Sequence, residues 1–198
     1  GMNAVFTNTT GADLVGVGFK ALCKNTTGGL NTSSGAYSML NNTTGGCNTA
    51  YGYGSLHDNT TGGNNAAVGA CAAFNNTTGI NNVAVGVKAL FQNTTATQNT
   101  GVGMFSLQNT STGSNNTGLG YGTLYSNSTG TNNIALGACS LYANTSGAGN
   151  TAVGYLSMCH NTCGNNNTAV GLYALRANTT AHANVGVGRE TLRQTTTG

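Results

Sequence analysis

Glycine returns every seventeen residues along this chain, at Gly1, Gly18, Gly35, Gly52, Gly69, Gly86, Gly103, Gly120, Gly137, Gly154, Gly171 and Gly188, with no slip of phase. A period this short and this strict means a coil that stacks on copies of itself. The 198 residues then form one continuous array, 1-198, of about eleven and a half coils. The repeat glycine is position 0 below, and the residues after it are positions 1 to 16.

The consensus is G-x-x-[A/S]-L-x-x-N-T-T-G-x-N-N-[T/V]-[A/G]-V, as in Gly86 to Val102 and again in Gly171 to Val187. N-T-T-G is a turn: Asn and Gly tolerate left-handed backbone, and Thr hydroxyls bond locally. Ala96 and Ala181 replace its glycine, so that site does not demand positive φ. The stretches N-[T/V]-A-V and x-x-A-L-x are short, alternating and β-prone. Each coil therefore reads as two short strands, bent at the leading glycine, in an all-β, single-stranded parallel β-solenoid (β-roll) of 17-residue coils.

Two faces follow from alternation. Val68, Val85, Val153 and Val170, with Leu90, Leu107, Leu124 and Leu175, are the steadiest apolar columns and are expected to point inward. Positions 1, 3 and 5 then form a second face, small at position 3 (Ala21, Ser38, Ser55, Ala72, Ala89, Ser106). Positions 1 and 5 trade size, as in Ala36 with Leu40, Ala70 with Phe74 and Phe19 with Cys23. One coil is too thin to bury both faces, so the second face is expected to meet other chains.

Asparagine fills position 13 at Asn31, Asn48, Asn65, Asn82, Asn99, Asn116, Asn133, Asn150, Asn167 and Asn184, broken only by Leu14. Stacked at strand spacing, these amides can hydrogen-bond up and down the array. The other reading is a residue that merely suits a turn. The ladder is favoured, because a turn alone rarely demands Asn and nothing else.

N-T-T also reads as N-x-T, the glycosylation acceptor. Asn8, Asn25, Asn42, Asn59, Asn76, Asn93, Asn127, Asn144 and Asn178 qualify, spaced more closely than a sugar chain is wide. Ice binding needs a flat outward Thr-x-Thr row. Here the adjacent Thr pair lies in the turn, and the column of Thr100, Thr117, Thr151 and Thr168 is interrupted by Ala66, Val83, Ile134 and Val185.

Catalytic chemistry finds little footing. Asp13, Asp58 and Glu190 lie many coils apart, and His57, His160 and His182 are isolated. No cofactor or metal site is expected. The cysteines, Cys23, Cys47, Cys71, Cys139, Cys159 and Cys163, occupy mostly different columns, so no disulfide framework is read. Cys159 and Cys163 flank one turn, where a local disulfide is an alternative to two small apolar residues. Charged residues make up 5% of the chain, the net charge is +3, and the six Lys and Arg are scattered, which argues against a nucleic-acid partner. No window reaches the apolar length of a membrane span. Gly1 and Gly198 both fall in register, which suggests a segment of a longer repetitive protein.

The run N-N-T-A-V-G-x-x-A-L-x-x-N-T-T, read at Asn166 to Thr180, resembles repeats in phage tail-fibre-like proteins and is similar to the N-S-V-A-I-G coils of trimeric autotransporter adhesin heads. The resemblance implies a left-handed β-roll, a homotrimer about one axis, and an extracellular, cell-surface or virion location. This coil is longer than the common adhesin-head coil, and no stalk segment is present. A single-chain solenoid in a stacked filament is the other assembly. The expected function is structural: the shaft or head of a fibre, with itself as first partner and host-surface glycans as candidate second partners. Alternatives are a heavily glycosylated surface filament and an ice-binding solenoid.

Overall fold

The computed structural model describes residues 1–194. Eleven three-residue strands form one parallel sheet, from β1 (Val15–Val17) to β11 (Val185–Val187), each paired with the next in chain order. The register is the sequence period itself: Val15 faces Thr32, Thr100 faces Thr117, and Val170 faces Val187. Among the described residues there is no helix. The molecule is thus an all-β parallel solenoid of 17-residue coils. At strand spacing, its eleven strands extend about 50 Å along the stack.

The strand occupies positions 14 to 16, where Thr, Val and Ile suit a pleated surface. The repeat glycine ends it with φ between 110° and 144°. That conformation excludes L side chains, and stacking excludes them a second time: a Cβ on Gly69 would lie 2.6 Å from the carbonyl oxygen of Gly86. Identical glycines sit directly over one another, which is why the period admits no slip.

The second strand expected over x-x-A-L-x is absent. Positions 2 and 4 both take left-handed backbone, as at Lys88 (φ 53°) and Leu90 (φ 52°), Tyr173 (57°) and Leu175 (49°). Bulky residues rarely adopt this region, at a cost of roughly 1–2 kcal/mol each. The kinked segment keeps its hydrogen bonds by pairing in both directions. Position 2 donates backward (Lys88 N to Ala70 O, 3.0 Å), and positions 4 and 6 donate forward (Leu90 N to Ser106 O, 3.0 Å; Gln92 N to Gln108 O, 2.8 Å).

Side-chain direction changes accordingly. Leu90, Leu107, Leu124 and Leu175 are buried, as their columns predicted. Position 3 is buried beside them, against expectation: Ala21, Ser38, Ser55, Ala72, Ala89 and Ser106 are 0% exposed. Strand alternation would separate neighbours, but left-handed backbone at position 4 turns both to the axis. The valines before the glycine also face the other way from the expected one. Val68 and Val170 are exposed and Val85 and Val153 half-exposed, while Ala67, Ala84, Ala152 and Ala169 between the strand ends are buried. A three-residue strand sends only its middle side chain inward, and the Ala, Gly or Ser at position 15 is that residue.

Substitution Gly69→Ala is expected to destabilise the chain by roughly 2–5 kcal/mol, from strain and overpacking together. Gly29→Ala is the control. It has no positive φ and its nearest contact would be 3.3 Å, so a change within about 0.5 kcal/mol is expected. Urea melts of both variants check the contrast.

Candidate functional site

The N-T-T-G corner is the most heavily bonded part of each coil. One carbonyl, that of Thr43, accepts from Thr26 N (2.9 Å), Thr27 N (3.1 Å), Gly28 N (3.3 Å) and the Thr26 hydroxyl (3.0 Å) of the preceding coil. Thr60 repeats the arrangement for the next corner. The adjacent threonines therefore serve the stack: position 8 donates its hydroxyl along it.

Two buried amide ladders run inside this corner. At position 13, Asn31 Oδ1 accepts the Asn48 backbone N–H at 2.9 Å, and Asn48 Oδ1 accepts from both Asn65 N (2.9 Å) and Asn65 Nδ2 (3.1 Å). The pattern continues through Asn82, Asn99, Asn116, Asn133, Asn150 and Asn167 to Asn184. At position 7 a second column does the same: Asn42 Nδ2 donates to Asn25 Oδ1, and Asn59 Nδ2 to Asn42 Oδ1, each at 2.7 Å. The ladders meet at the position 10 carbonyl. Gly45 O accepts from Asn31 Nδ2 (2.8 Å) and Asn42 Nδ2 (2.9 Å).

The position 7 ladder consists of the sequon asparagines and Asn161. Asn25, Asn42, Asn59, Asn76, Asn93, Asn127, Asn144 and Asn178 are at most 1% exposed; only Asn8, in the first coil, is half-buried. In the ladder their Nδ2 atoms face the core, and most donate twice. A sugar on Nδ2 has no room in the folded coil and would displace one of those bonds. The inward role was legible in the column itself, which is as invariant as position 13 apart from Thr110.

That exception leaves a seam. Thr110 Oγ1 and Asn93 Oδ1 are buried without a hydrogen-bond partner. The corner above is loosened too: Thr94 N and Thr95 N reach Ser111 O at 3.2 and 3.4 Å, where Ala96 takes the place of the turn glycine.

Outside the core, two surfaces differ in chemistry. The outer side of the sheet shows positions 14 and 16. It carries Val15, Val17, Tyr51, Val68, Leu119, Ile134, Val170, Val185 and Val187 as exposed apolar side chains, with Thr32, Thr49, Thr100, Thr117, Thr151 and Thr168 between them. No Lys, Arg, Asp or Glu lies on it.

The kinked segment, positions 1 to 6, carries every Lys and Arg: Lys20, Lys24, Lys88, Arg176, Arg189 and Arg193. It also carries aromatic contacts along the stack. His57 lies on Phe74 at 4.5 Å and Phe74 on Phe91 at 5.5 Å; Tyr125 lies on Tyr142 at 4.9 Å. Cations cap several rings, including Lys20 over Phe19 and Lys88 over Phe91. Size complementation does operate here, between position 2 of one coil and position 5 of the next. A Cβ on Gly54 would sit 3.1 Å from the Phe74 ring, and one on Gly122 3.4 Å from the Tyr142 ring.

All six cysteines are free thiols. The Cys159–Cys163 disulfide is not formed: Cys159 is buried at position 5 and Cys163 is exposed on the corner. Burial pushes the Cys159 thiol above its ordinary range, only partly offset by Arg176, and raises Cys139 as well. Neither thiol is thereby prepared as a nucleophile at neutral pH. His57 Nδ1 and Asp58 Oδ1 are 2.6 Å apart, and Asn41 Nδ2 donates to the same carboxylate oxygen. His182 Nδ1 accepts the Asn165 N–H. Among the described residues, no group of three or more His, Cys, Asp or Glu converges on a metal-sized site. No protein family, curated protein or solved structure matches the chain.

Thr110→Asn is expected to close the seam. It supplies a donor to Asn93 Oδ1 and an acceptor for Asn127 Nδ2, whose only bond is to Gly130 O. A gain of about 1–3 kcal/mol should follow, the usual cost of a buried polar group left unpaired, read as a raised midpoint in thermal and urea melts.

Proposed function

We propose that this chain is a structural element, a rigid rod segment of an extracellular or virion fibre, and that it works as a homo-oligomer joined through the outer side of its sheet. The carrying observation is that side: an uncharged, apolar row running the length of eleven strands. At about 50 Å by about 10 Å it covers roughly 500 Å², near the upper end of what a soluble monomer exposes. The row is in register from strand to strand, so a second copy can meet it along its whole length. Trimeric, left-handed assembly remains the form that the adhesin-head resemblance favours. The mechanical role follows from the stack: load along the axis is shared among coil-to-coil bonds that repeat at every coil.

The face expected to be buried between chains was the one at positions 1, 3 and 5. With position 3 inside the coil and every cation on positions 1 to 6, the sheet's outer side is the better interface. The charged, aromatic ribbon is then left outside, where repeated weak contacts with host-surface glycans can add up.

One observation favours a second reading. The Thr-rich column at position 14 lies on the outer side of the sheet, not in the turn, beside the Val-rich column at position 16. That is the kind of ordered hydroxyl–methyl array an ice-binding surface requires. The two readings compete for one face, because a face buried between copies cannot meet ice.

Sedimentation equilibrium decides between them. The fibre reading expects a species two or three times the 19.7 kDa chain mass, converted to monomer by Val68→Asp with Leu119→Asp. A stable monomer showing thermal hysteresis would transfer the face to ice.

A further inference from the structure

The positive charge on the outer ribbon is not evenly spread. Arg176, Arg189 and Arg193 fall in two consecutive coils with one carboxylate, Glu190. Arg176 and Arg193 occupy position 5 of neighbouring coils, so their side chains leave the backbone one strand spacing apart. Like charges placed directly opposite in this way repel. Both guanidinium groups pack over the ring of Tyr173, at 5.1 and 5.7 Å, which fixes their planes and limits their retreat into solvent. Glu190 Oε2 accepts from Arg193 Nη1 at 3.0 Å, while Glu190 Oε1 lies 3.4 Å from Arg189. No described carboxylate lies within ion-pair reach of Arg176, and its Nε is buried without a hydrogen-bond partner.

Between them lies a cleft of about 210 Å³ lined by His160, Arg176, Ala177, Arg193 and Gln194. Four of these five side chains carry nitrogens, two of them in the planar fork that matches sulfate or carboxylate oxygens. Resting on the reading of this ribbon as the outer, contact-making surface, we infer that the cleft binds an anionic group of an extended polysaccharide, a sulfate ester or a uronate carboxylate. The Tyr173 ring beneath the two guanidiniums holds them ready for it. The polymer would continue over the neighbouring aromatic residues of the ribbon, and so would lie along the rod.

The test uses the full chain with three soluble polymers: dextran sulfate, polygalacturonate and neutral dextran. Binding is followed by titration calorimetry at two salt concentrations. Binding to a charged polymer and not to dextran is expected, and the stronger charged arm identifies sulfate or carboxylate as the group held. Arg176→Gln with Arg193→Gln should weaken it about tenfold or more, the loss of one or more charge-assisted hydrogen bonds. Lys20→Gln with Lys24→Gln removes the same charge elsewhere on the ribbon and should cost less than about twofold. Equal losses in the two double variants would show diffuse attraction and overturn the site; so would unchanged binding in the arginine variant, or equal binding to dextran. If the glutamine pair melts early, Arg176→Lys with Arg193→Lys keeps charge and loses the fork. A loss of about threefold or more then supports the site, and none overturns it. Each variant's sedimentation is recorded alongside, so failure of the assembly and failure of the cleft are read separately.

Discussion

The stack depends on amide-to-amide registry inside a core too narrow to be apolar. Nearly every coil contributes one Leu or Met at position 4, replaced by Val5 and Ala73 in two of them, and one small residue at each of positions 3 and 15. The rest of its interior volume is mostly asparagine. Burying an unpaired amide costs more than a Leu of that size returns, so the asparagines are tolerable only if every coil supplies the same residue at the same height. The ladders meet that condition: each Nδ2 finds an Oδ1 or a position 10 carbonyl, and where both columns hold Asn, as at Gly45 and Gly62, that carbonyl receives two amides. Seventeen-residue periodicity is therefore an energetic requirement on the interior. A coil out of phase would strand several buried polar groups at once.

Glycine at position 0 enforces the same registry sterically. Amides reward correct stacking; glycines forbid approach by anything larger at the point where coils are closest. The cost is backbone strain at positions 2, 4 and 12, where Leu, Tyr, Lys and Asn hold left-handed conformations. Single coils could not sustain that strain. It persists because both neighbours hold the kinked segment by hydrogen bonds in opposite directions, which makes folding of each coil conditional on its neighbours.

The solenoid, its period and its parallel register were legible in the glycine phase, since a strict seventeen-residue period rich in Gly, Asn and Thr is too short and too poor in helix formers for a helical repeat. The inward Leu at position 4 was legible for the same reason. What failed was alternation. It was applied across the glycine as though the chain there were extended, and it sent Val68 inward and Ala72 outward. Left-handed backbone at non-glycine residues leaves no signal in a column occupied by Lys, Tyr, Cys and Leu by turns, so the kink could not be read. The small column at position 15 was readable and outweighed by the larger valines beside it. The sequon asparagines show how two signals can overlap: a motif defined by processing chemistry coincides with one defined by buried amide geometry.

The two outer surfaces are consequences of that interior. With amides and small residues filling the interior, some apolar side chains lie on the ribbon, and the larger ones of the strand lie on the sheet's outer side. There, alternation about a buried Ala places them in two straight rows. Charge is excluded from those rows and gathered on the kinked ribbon, where long side chains can lie over aromatic rings without entering the stack. One side of the rod thus resembles an interface and the other a contact surface. The division arises within a single seventeen-residue unit, so lengthening the array extends both sides together. In the proposed assembly, a partner held by weak contacts on the ribbon would gain avidity with rod length, provided the copies keep neighbouring ribbons in fixed orientation. In that proposal the amide ladders would supply the stiffness that holds the orientation, and the buried polar core would reach the proposed function through geometry.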